Sequence, residues 1–104
     1  MAGISRLTRV VHVRKAPFDI YIGRAFLEFP ESEWHNPFKV EVGCGRKCVI
    51  EKYRQYLLGR PDLLAKLHEL RGKTLGCWCK PKACHGDVIA ELAEELWTAK
   101  NLRT

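Results

Sequence analysis

The chain has no apolar run long enough for a membrane-spanning helix. No apolar stretch among its 104 residues approaches the roughly 20 residues that cross a bilayer. The N-terminal segment MAGISRLTRVVHVRK is basic and has no long apolar h-region, so we expect no signal peptide. These absences favour a protein without membrane association, located in the cytoplasm, where thiols stay reduced.

Blocks of like charge, sequence repeats and an even number of cysteines are also missing. The formal net charge is +6, yet the basic residues form no block of about five or six. The five cysteines cannot all pair within one chain, which argues against a disulfide framework. The charge is compatible with nucleic acid or nucleotide phosphates as partners, and equally with a solvated basic surface.

The composition is that of an ordinary globular domain. Apolar residues make up 46% of the chain, and 104 residues suffice for one compact core. We therefore expect a single domain over residues 1–104, with flexible ends at residues 1–7 and 99–104.

Hydrophobic periodicity predicts the order strand, strand, helix, helix, strand, helix. The strands are predicted at residues 9–15, 18–22 and 73–79, and the helices at residues 46–59, at 61–72 and from about 84 onward. A strand that is reached through helices pairs most simply in parallel with an earlier one, by a right-handed crossover. The expected fold is thus a small α/β sandwich of about three mostly parallel strands and about three helices, with residues 73–79 as the inner strand.

The stretch CWCKPKACHGD, residues 77–87, concentrates the potential chemistry of the chain. In a strand, Cys77 and Cys79 share one face, and Trp78 points the other way, into the core. Cys84 and His85 stand where the last helix begins, at the sheet edge where open α/β folds bind ligands. Buried, unreactive cysteines are one interpretation of this stretch, since free cysteine is among the most buried residue types.

A reactive thiol is the second interpretation. Cys84 at a helix start, beside His85 and near Lys80 and Lys82, has the electropositive surroundings that lower a thiol pKa. We expect Cys84 to be reachable and acidic and Cys77 to be buried. A cysteine with an adjacent base is a candidate nucleophile, with His85 carrying the proton. Whether the protein is an enzyme stays open.

Metal binding is the third interpretation, with zinc as the cofactor. A tetrahedral site would use Cys77, Cys79, Cys84 and His85. Zinc accepts three cysteines and a histidine, but its usual C-x₂₋₄-C spacing differs from the C-x-C and adjacent C-H found here. Cys44 and Cys48, four residues apart, would join such a site if both lay on one face of a first helical turn; we expect instead that Cys48 belongs to a helix face and that Cys44 has no role.

Three segments resemble a phage and bacterial family known as domain of unknown function family 4326. They are VHVRKAPFDIYIGRA, WHNPF and LRGKTLGCWCKPKACHGDVIAELA, and the resemblance covers about residues 11–96. It implies a phage-associated protein and no particular reaction. It also implies signature positions at Arg14, Lys15, Arg24, Asn36, Pro37, Phe38, Cys77, Cys79, Pro81, Cys84, His85 and Asp87; Cys44 and Cys48 lie outside the pattern.

Several of these residues are expected at one crevice. Arg14 and Lys15 end the first strand, and Cys79 ends the strand expected beside it. Arg24 follows a glycine after the second strand and can direct its guanidinium at an anion. Asn36, before a proline, can hold a polar ligand or cap a turn.

The sequence thus predicts a cationic Cys/His pocket for a phosphate-bearing ligand, a nucleotide or a nucleic-acid end. Its ligand-binding residues would be Arg14, Lys15, Arg24, Asn36 and Cys79, with Cys84 and His85 as catalytic residues if there is a reaction. A zinc-stabilised module that binds nucleic acid or protein is the alternative. A host-directed interaction protein is a third class.

Overall fold

The computed structural model describes the backbone of residues 8–102 and the side chains of residues 8–96. Its elements are β1 (Arg9–His12), β2 (Ile20–Tyr21), α1 (Arg46–Leu58), α2 (Pro61–Leu64), a 3₁₀ turn (Leu67–Glu69), β3 (Thr74–Cys77) and α3 (His85–Leu102). The predicted order and the α/β class are confirmed. Of the ends expected to be flexible, residues 1–7 and 103–104 lie outside the described residues, whereas residues 99–102 belong to α3. No helix within residues 8–102 combines the length and apolarity needed to cross a membrane.

β3 is the inner strand of a three-stranded parallel sheet with the order β1-β3-β2. Leu75 lies at the centre, level with Val10 on one side and Ile20 on the other. Because β3 is covered on both edges, its leucine is fully buried, as is typical of strands inside parallel sheets. The prediction that this strand runs parallel to the first one is confirmed.

The strands are shorter than the sequence pattern indicated. β1 ends at His12, whose carbonyl oxygen accepts hydrogen bonds from the N–H groups of Lys15 and Ala16 and so closes a turn. β3 ends at Cys77, and the next residues turn again, with the Lys82 N–H bonded to the Cys79 carbonyl. These turns decide which side chains after each strand can reach the sheet edge.

The helices pack against one face of the sheet. The core joins Tyr53 and Leu57 of α1 to Leu75 of β3 and to Val88 and Ile89 of α3. The second predicted helix keeps its leucines inward but divides into α2 and the 3₁₀ turn. Gly86 permits the close approach of α3, because a Cβ atom there would lie 2.7 Å from Ile22 and 2.9 Å from Val10.

The opposite face of the sheet is covered by aromatic side chains. A Cβ atom on Gly76 would lie 2.6 Å from the ring of Phe18, so this ring rests directly on the strand. Trp78 contacts Phe26 and Phe29 edge-on and donates its indole N–H to the Tyr21 hydroxyl, at 3.0 Å. The expectation that Trp78 packs in the core is therefore wrong: this side chain is half-buried in an aromatic cluster outside it.

Candidate functional site

The carboxyl ends of the strands open into a cavity of about 590 Å³. Residues 23–26 follow β2, residues 78–79 follow β3, and the first turns of α1 and α3 complete the wall. This is the edge at which open α/β sheets bind ligands. We call this cavity the sheet-edge pocket; its wall includes Arg24, Asn36, Lys39, Arg46, Cys79 and His85.

Three cysteines meet at the base of the sheet-edge pocket. The Sγ atoms of Cys77 and Cys84 are 3.2 Å apart, and both thiols lower the pKa of Cys79 beside them. Cys77 and Cys84 are 1% and 2% exposed, whereas Cys79 is half-buried. The predicted burial of Cys77, and a common side for Cys77 and Cys79, are confirmed; the expectation of a reachable Cys84 is wrong, because the first turn of α3 packs against the core.

The proton affinities of the three thiols differ. Hydrogen bonds from Cys77 and Cys84, together with the Arg46 guanidinium, lower the pKa of Cys79 to about 2. The hydrogen bonds that Cys84 gives to Cys77 and Cys79, together with its burial, raise the pKa of Cys84. The pKa of Cys77 is also raised, first by its hydrogen bond to Cys79. These opposite shifts favour ionisation of Cys79 over that of Cys77 and Cys84, and the prediction of an acidic Cys84 is wrong.

His85 is a buried neutral side chain. Its Nε2–H donates to the carbonyl oxygen of Ile22, at 2.7 Å, and its ring contacts Tyr53 edge-on. Burial lowers the pKa of His85, so the imidazole is uncharged near neutral pH. With Nε2 bonded to a carbonyl, Nδ1 is the ring atom left to accept a proton, and no hydrogen bond joins the ring to Cys84 within the described part of the chain.

Asp87 fixes the start of α3. One carboxylate oxygen accepts the Cys84 N–H at 3.0 Å, and the other accepts from Lys80 at 2.6 Å. A carboxylate in the first turn also complements the positive end of the helix. Asp87 thus stabilises the first turn of α3, and Lys80 pairs with this carboxylate instead of contributing an unpaired positive charge beside Cys84.

Arg24 and Asn36 organise one wall of the sheet-edge pocket. The Arg24 guanidinium donates to the carbonyl oxygens of Asn36 and Phe38, at 3.1 and 2.7 Å. The Asn36 side-chain oxygen accepts the Phe38 N–H at 2.9 Å, so this residue caps a turn, one of its two expected roles. Both residues line the cavity as predicted, but their contacts within the protein are to the loop that forms the wall.

Arg14 and Lys15 lie away from the sheet-edge pocket. The guanidinium of Arg14 stacks over the Trp78 ring, 5.3 Å from its centroid, and pairs with Glu28 at 3.3 Å. Lys15 is exposed in the turn after β1 and does not line the cavity. The expectation that both residues face the crevice is wrong in geometry, because β1 ends before them and the chain turns.

Two cations in the pocket were missed by sequence reasoning. Arg46, at the start of α1, lies beside the Cys79 sulfur and donates to the Ala83 carbonyl oxygen at 3.0 Å. Lys39, in the loop before α1, also lines the cavity. A basic residue in the first turn of a helix is unfavourable for the helix dipole. The position of Arg46 in the first turn of a predicted helix was therefore the feature of the sequence that could have indicated a role in the pocket.

Cys44 and Cys48 form a disulfide across the start of α1. The bond joins the residue before the Gly45 N-cap to the first turn of the helix. Our expectation of reduced thiols, with no role for Cys44, is wrong for this pair. The disulfide leaves Cys77, Cys79 and Cys84 as the free cysteines of the described chain.

The zinc alternative finds no support in the geometry. Within residues 8–102, no group of three or more His, Cys, Asp or Glu side chains is arranged to hold a metal ion. Cys77 and Cys84 are instead in direct sulfur–sulfur contact, at 3.2 Å.

The fold and the pocket define a small parallel α/β protein with three free cysteines at the carboxyl edge of its sheet. By sequence, the chain belongs to the family described as Domain of unknown function (DUF4326), which matches residues 6–95.

Two viral relatives carry no functional description. An uncharacterized 12.4 kDa protein from the nrdA-td intergenic region of Enterobacteria phage T4 is 36% identical over 100 residues, which are 92% of this chain and 86% of that protein. An uncharacterized protein of Acanthamoeba polyphaga mimivirus is 36% identical over 86 residues, 71% of this chain and 65% of that protein, just under two thirds of its length. No solved structure matches the chain.

Proposed function

We propose that the sheet-edge pocket binds a phosphate-bearing ligand with a planar ring, a nucleotide or a nucleic-acid end. The observation that carries this proposal is the charge of the wall. Arg24, Lys39 and Arg46 line the cavity, and no aspartate or glutamate is among its lining residues in the described chain. A concave site that is lined by positive charges concentrates anions.

The charges of these cations are not neutralised by carboxylates. Arg24 and Arg46 donate to backbone carbonyl oxygens, and Lys39 has no ion pair within residues 8–96. Many basic residues elsewhere are paired, for example Lys66 with Glu33 at 3.0 Å. Since Arg46 also stabilises the Cys79 thiolate, we assign the phosphate to Arg24 and Lys39.

The aromatic part of the pocket supports a ring on the ligand. Phe26, Phe38 and Trp78 line the cavity beside the cations. A base that stacks on such a side chain gains about 1–3 kcal/mol. The volume of about 590 Å³ lies within the range of small-molecule sites, about 300–1,000 Å³.

Cys79 is the thiol that a bound ligand would meet. It lines the pocket half-buried, with its charge held by two thiol donors and Arg46. If the protein is an enzyme, the nucleophile is Cys79 instead of Cys84, and His85 can take a proton only at Nδ1. We place this activity in the cytoplasm, where nucleotides are abundant.

Isothermal titration calorimetry with a nucleotide, the matching nucleoside and inorganic phosphate tests the proposal. We expect the nucleotide to bind more tightly than either part, because it engages the cations and the aromatic wall together. Lys39→Met should weaken nucleotide binding about ten-fold, as expected for a lost charge-assisted hydrogen bond. Lys15→Met is the matched control, since it removes the same charge outside the pocket.

Two results would contradict the proposal. One is equal weakening by Lys39→Met and Lys15→Met, which would mean that only the overall charge matters. The other is a nucleoside that binds as tightly as its nucleotide. Metal analysis of protein purified without chelator addresses the zinc-stabilised alternative: one tightly bound zinc per chain, with unfolding on chelation, would favour that module.

A further inference from the structure

The contact between two buried sulfurs has no role in ligand binding. Cys77 Sγ and Cys84 Sγ lie 3.2 Å apart, and a disulfide bond is about 2.05 Å long. A movement of about 1 Å would therefore join them. Both residues line the base of the sheet-edge pocket but are at most 2% exposed, so a reagent that enters the pocket meets the half-buried Cys79 more readily than either of them.

Cys79 connects this buried pair to the solvent side. Cys77, Cys79 and Cys84 line the same part of the sheet-edge pocket, and Cys79 is the half-buried one of the three. The Arg46 side chain beside it favours a negatively charged sulfur. The three cysteines thus form a continuous path from the pocket into the core, with one accessible sulfur at its entrance.

We propose that Cys77, Cys79 and Cys84 form a thiol–disulfide exchange site. Cys79 reacts with a small disulfide in the pocket, and the buried Cys77 and Cys84 thiols are then oxidised to a disulfide bond. The proposal stands independently of whether the pocket binds a nucleotide.

The reaction proceeds through three successive thiol–disulfide exchange steps. The Cys79 thiolate attacks the external disulfide, forms a mixed disulfide and releases one small thiolate, which takes a proton from water. Cys84 then attacks the Cys79 sulfur, and its proton goes to the second small thiolate as that leaves. Cys77 finally attacks the Cys84 sulfur, which returns Cys79 to the thiolate and passes the Cys77 proton to water. One external disulfide becomes two thiols, and two cysteine thiols become one disulfide.

The test uses the uncharged reagent bis(2-hydroxyethyl) disulfide, so that the cations of the pocket do not influence the result. The protein carries Cys44→Ser and Cys48→Ser, which leaves three thiols. After reduction, exposure to the reagent and acid quenching, intact mass should show the loss of two hydrogen atoms with no reagent retained. Peptide mapping should then link Cys77 to Cys84.

Single substitutions identify the order of the steps. Cys79→Ser should slow oxidation at least about ten-fold, because both remaining sulfurs are buried. Cys77→Ser should stop at a Cys79–Cys84 bond. Cys84→Ser should abolish the Cys77–Cys84 bond and leave Cys77 as the only thiol that can resolve the mixed disulfide on Cys79. Cys79 is the half-exposed member, so its substitution is the one least harmful to folding.

Three outcomes would overturn the proposal. The first is a stable mixed disulfide on the protein with all three cysteines present. The second is oxidation of the Cys79→Ser variant at the parent rate. The third is a folded, metal-free protein that does not react. If Cys84→Ser does not fold by circular dichroism, the rate of Cys79→Ser and the mapped Cys77–Cys84 bond decide the question.

Discussion

The pKa of Cys79 is lowered and the pKa of Cys84 is raised because the two sulfurs have different surroundings. Cys84 donates hydrogen bonds within the cluster and accepts one from the Gly86 N–H at 3.2 Å, deep in the core. Cys79 receives hydrogen bonds from two thiols and lies beside Arg46. One negative charge shared by three sulfurs belongs on the sulfur that has both a cation and solvent nearby.

Alkylation near pH 6 should therefore modify Cys79 first. At about pH 6 an ordinary thiol with a pKa of about 8.5 is almost wholly protonated, whereas the lowered pKa of Cys79 leaves it ionised. Iodoacetamide labelling followed by peptide mass spectrometry measures the order. Arg46→Met is the control: it removes the cation, raises the pKa of Cys79 and should slow labelling at this pH. Labelling of Cys84 ahead of Cys79 in folded protein would contradict the assignment of the thiolate.

At the scale of elements, α3 is attached to the sheet through its first turn. Asp87 caps the Cys84 N–H, and His85 donates to the Ile22 carbonyl oxygen just beyond β2. The absence of a side chain on Gly86 lets this turn approach Val10 and Ile22 closely. The same contacts that stabilise the helix therefore place Cys84 inside the core and His85 in the wall of the pocket.

The stability of this attachment should depend on pH through His85. Burial lowers the pKa of His85 below its ordinary value of 6.5, so the unfolded chain takes up this proton at a higher pH than the folded protein. The His85 contribution is thus fully present above about pH 6.5 and is lost as the pH falls towards the folded pKa, with a slope of at most about 1.4 kcal/mol per pH unit. Urea unfolding at several pH values measures it.

Two histidine variants isolate this contribution. His85→Gln should flatten the pH dependence of the free energy of unfolding between about pH 7 and 5. His68→Gln, on an exposed side chain in the 3₁₀ turn, should leave the dependence unchanged. An unchanged slope in His85→Gln would show that the destabilisation at low pH comes from other groups.

At the scale of the whole molecule, the net charge of +6 is distributed unevenly. Arg54, Arg60, Lys66 and Lys80 form ion pairs with carboxylates, which largely cancels their charges. The cations of the sheet-edge pocket lack such partners among the described residues. The sheet-edge pocket is therefore one place where positive side chains lie together without a carboxylate partner among the described residues.

This distribution predicts weak salt dependence of nucleic-acid binding. If Arg24 and Lys39 neutralise about two phosphates of a single strand, the logarithm of the affinity should fall with the logarithm of salt concentration with a slope of about −1.4. Fluorescence anisotropy with a short labelled single-stranded oligonucleotide measures this slope. Extending the strand should add little affinity. A slope steeper than about −4 would indicate a long binding surface instead of an end-binding pocket.

The sequence alone determined the fold class and the sheet edge at which the candidate site lies. The β-branched residues around Val11 and the apolar residues around Leu75 favoured strands, and leucines spaced by three or four residues favoured helices. The three cysteines near the end of an inner strand placed the site at the carboxyl edge, since parallel strands end together. Asn36 and Asp87 were likewise predictable, because turn and helix capping are local interactions.

The tertiary structure decided what each site residue does. A turn after His12 carries Arg14 and Lys15 away from the pocket, and the packing of α3 buries Cys84. Arg46 is 33 residues from Cys79 in the sequence, so their contact could not be read from spacing. Which thiol is ionised depends on burial and on charges brought together from distant segments, and no local pattern contains either quantity. Local interactions are encoded in sequence, whereas proton affinities arise only when the chain has folded.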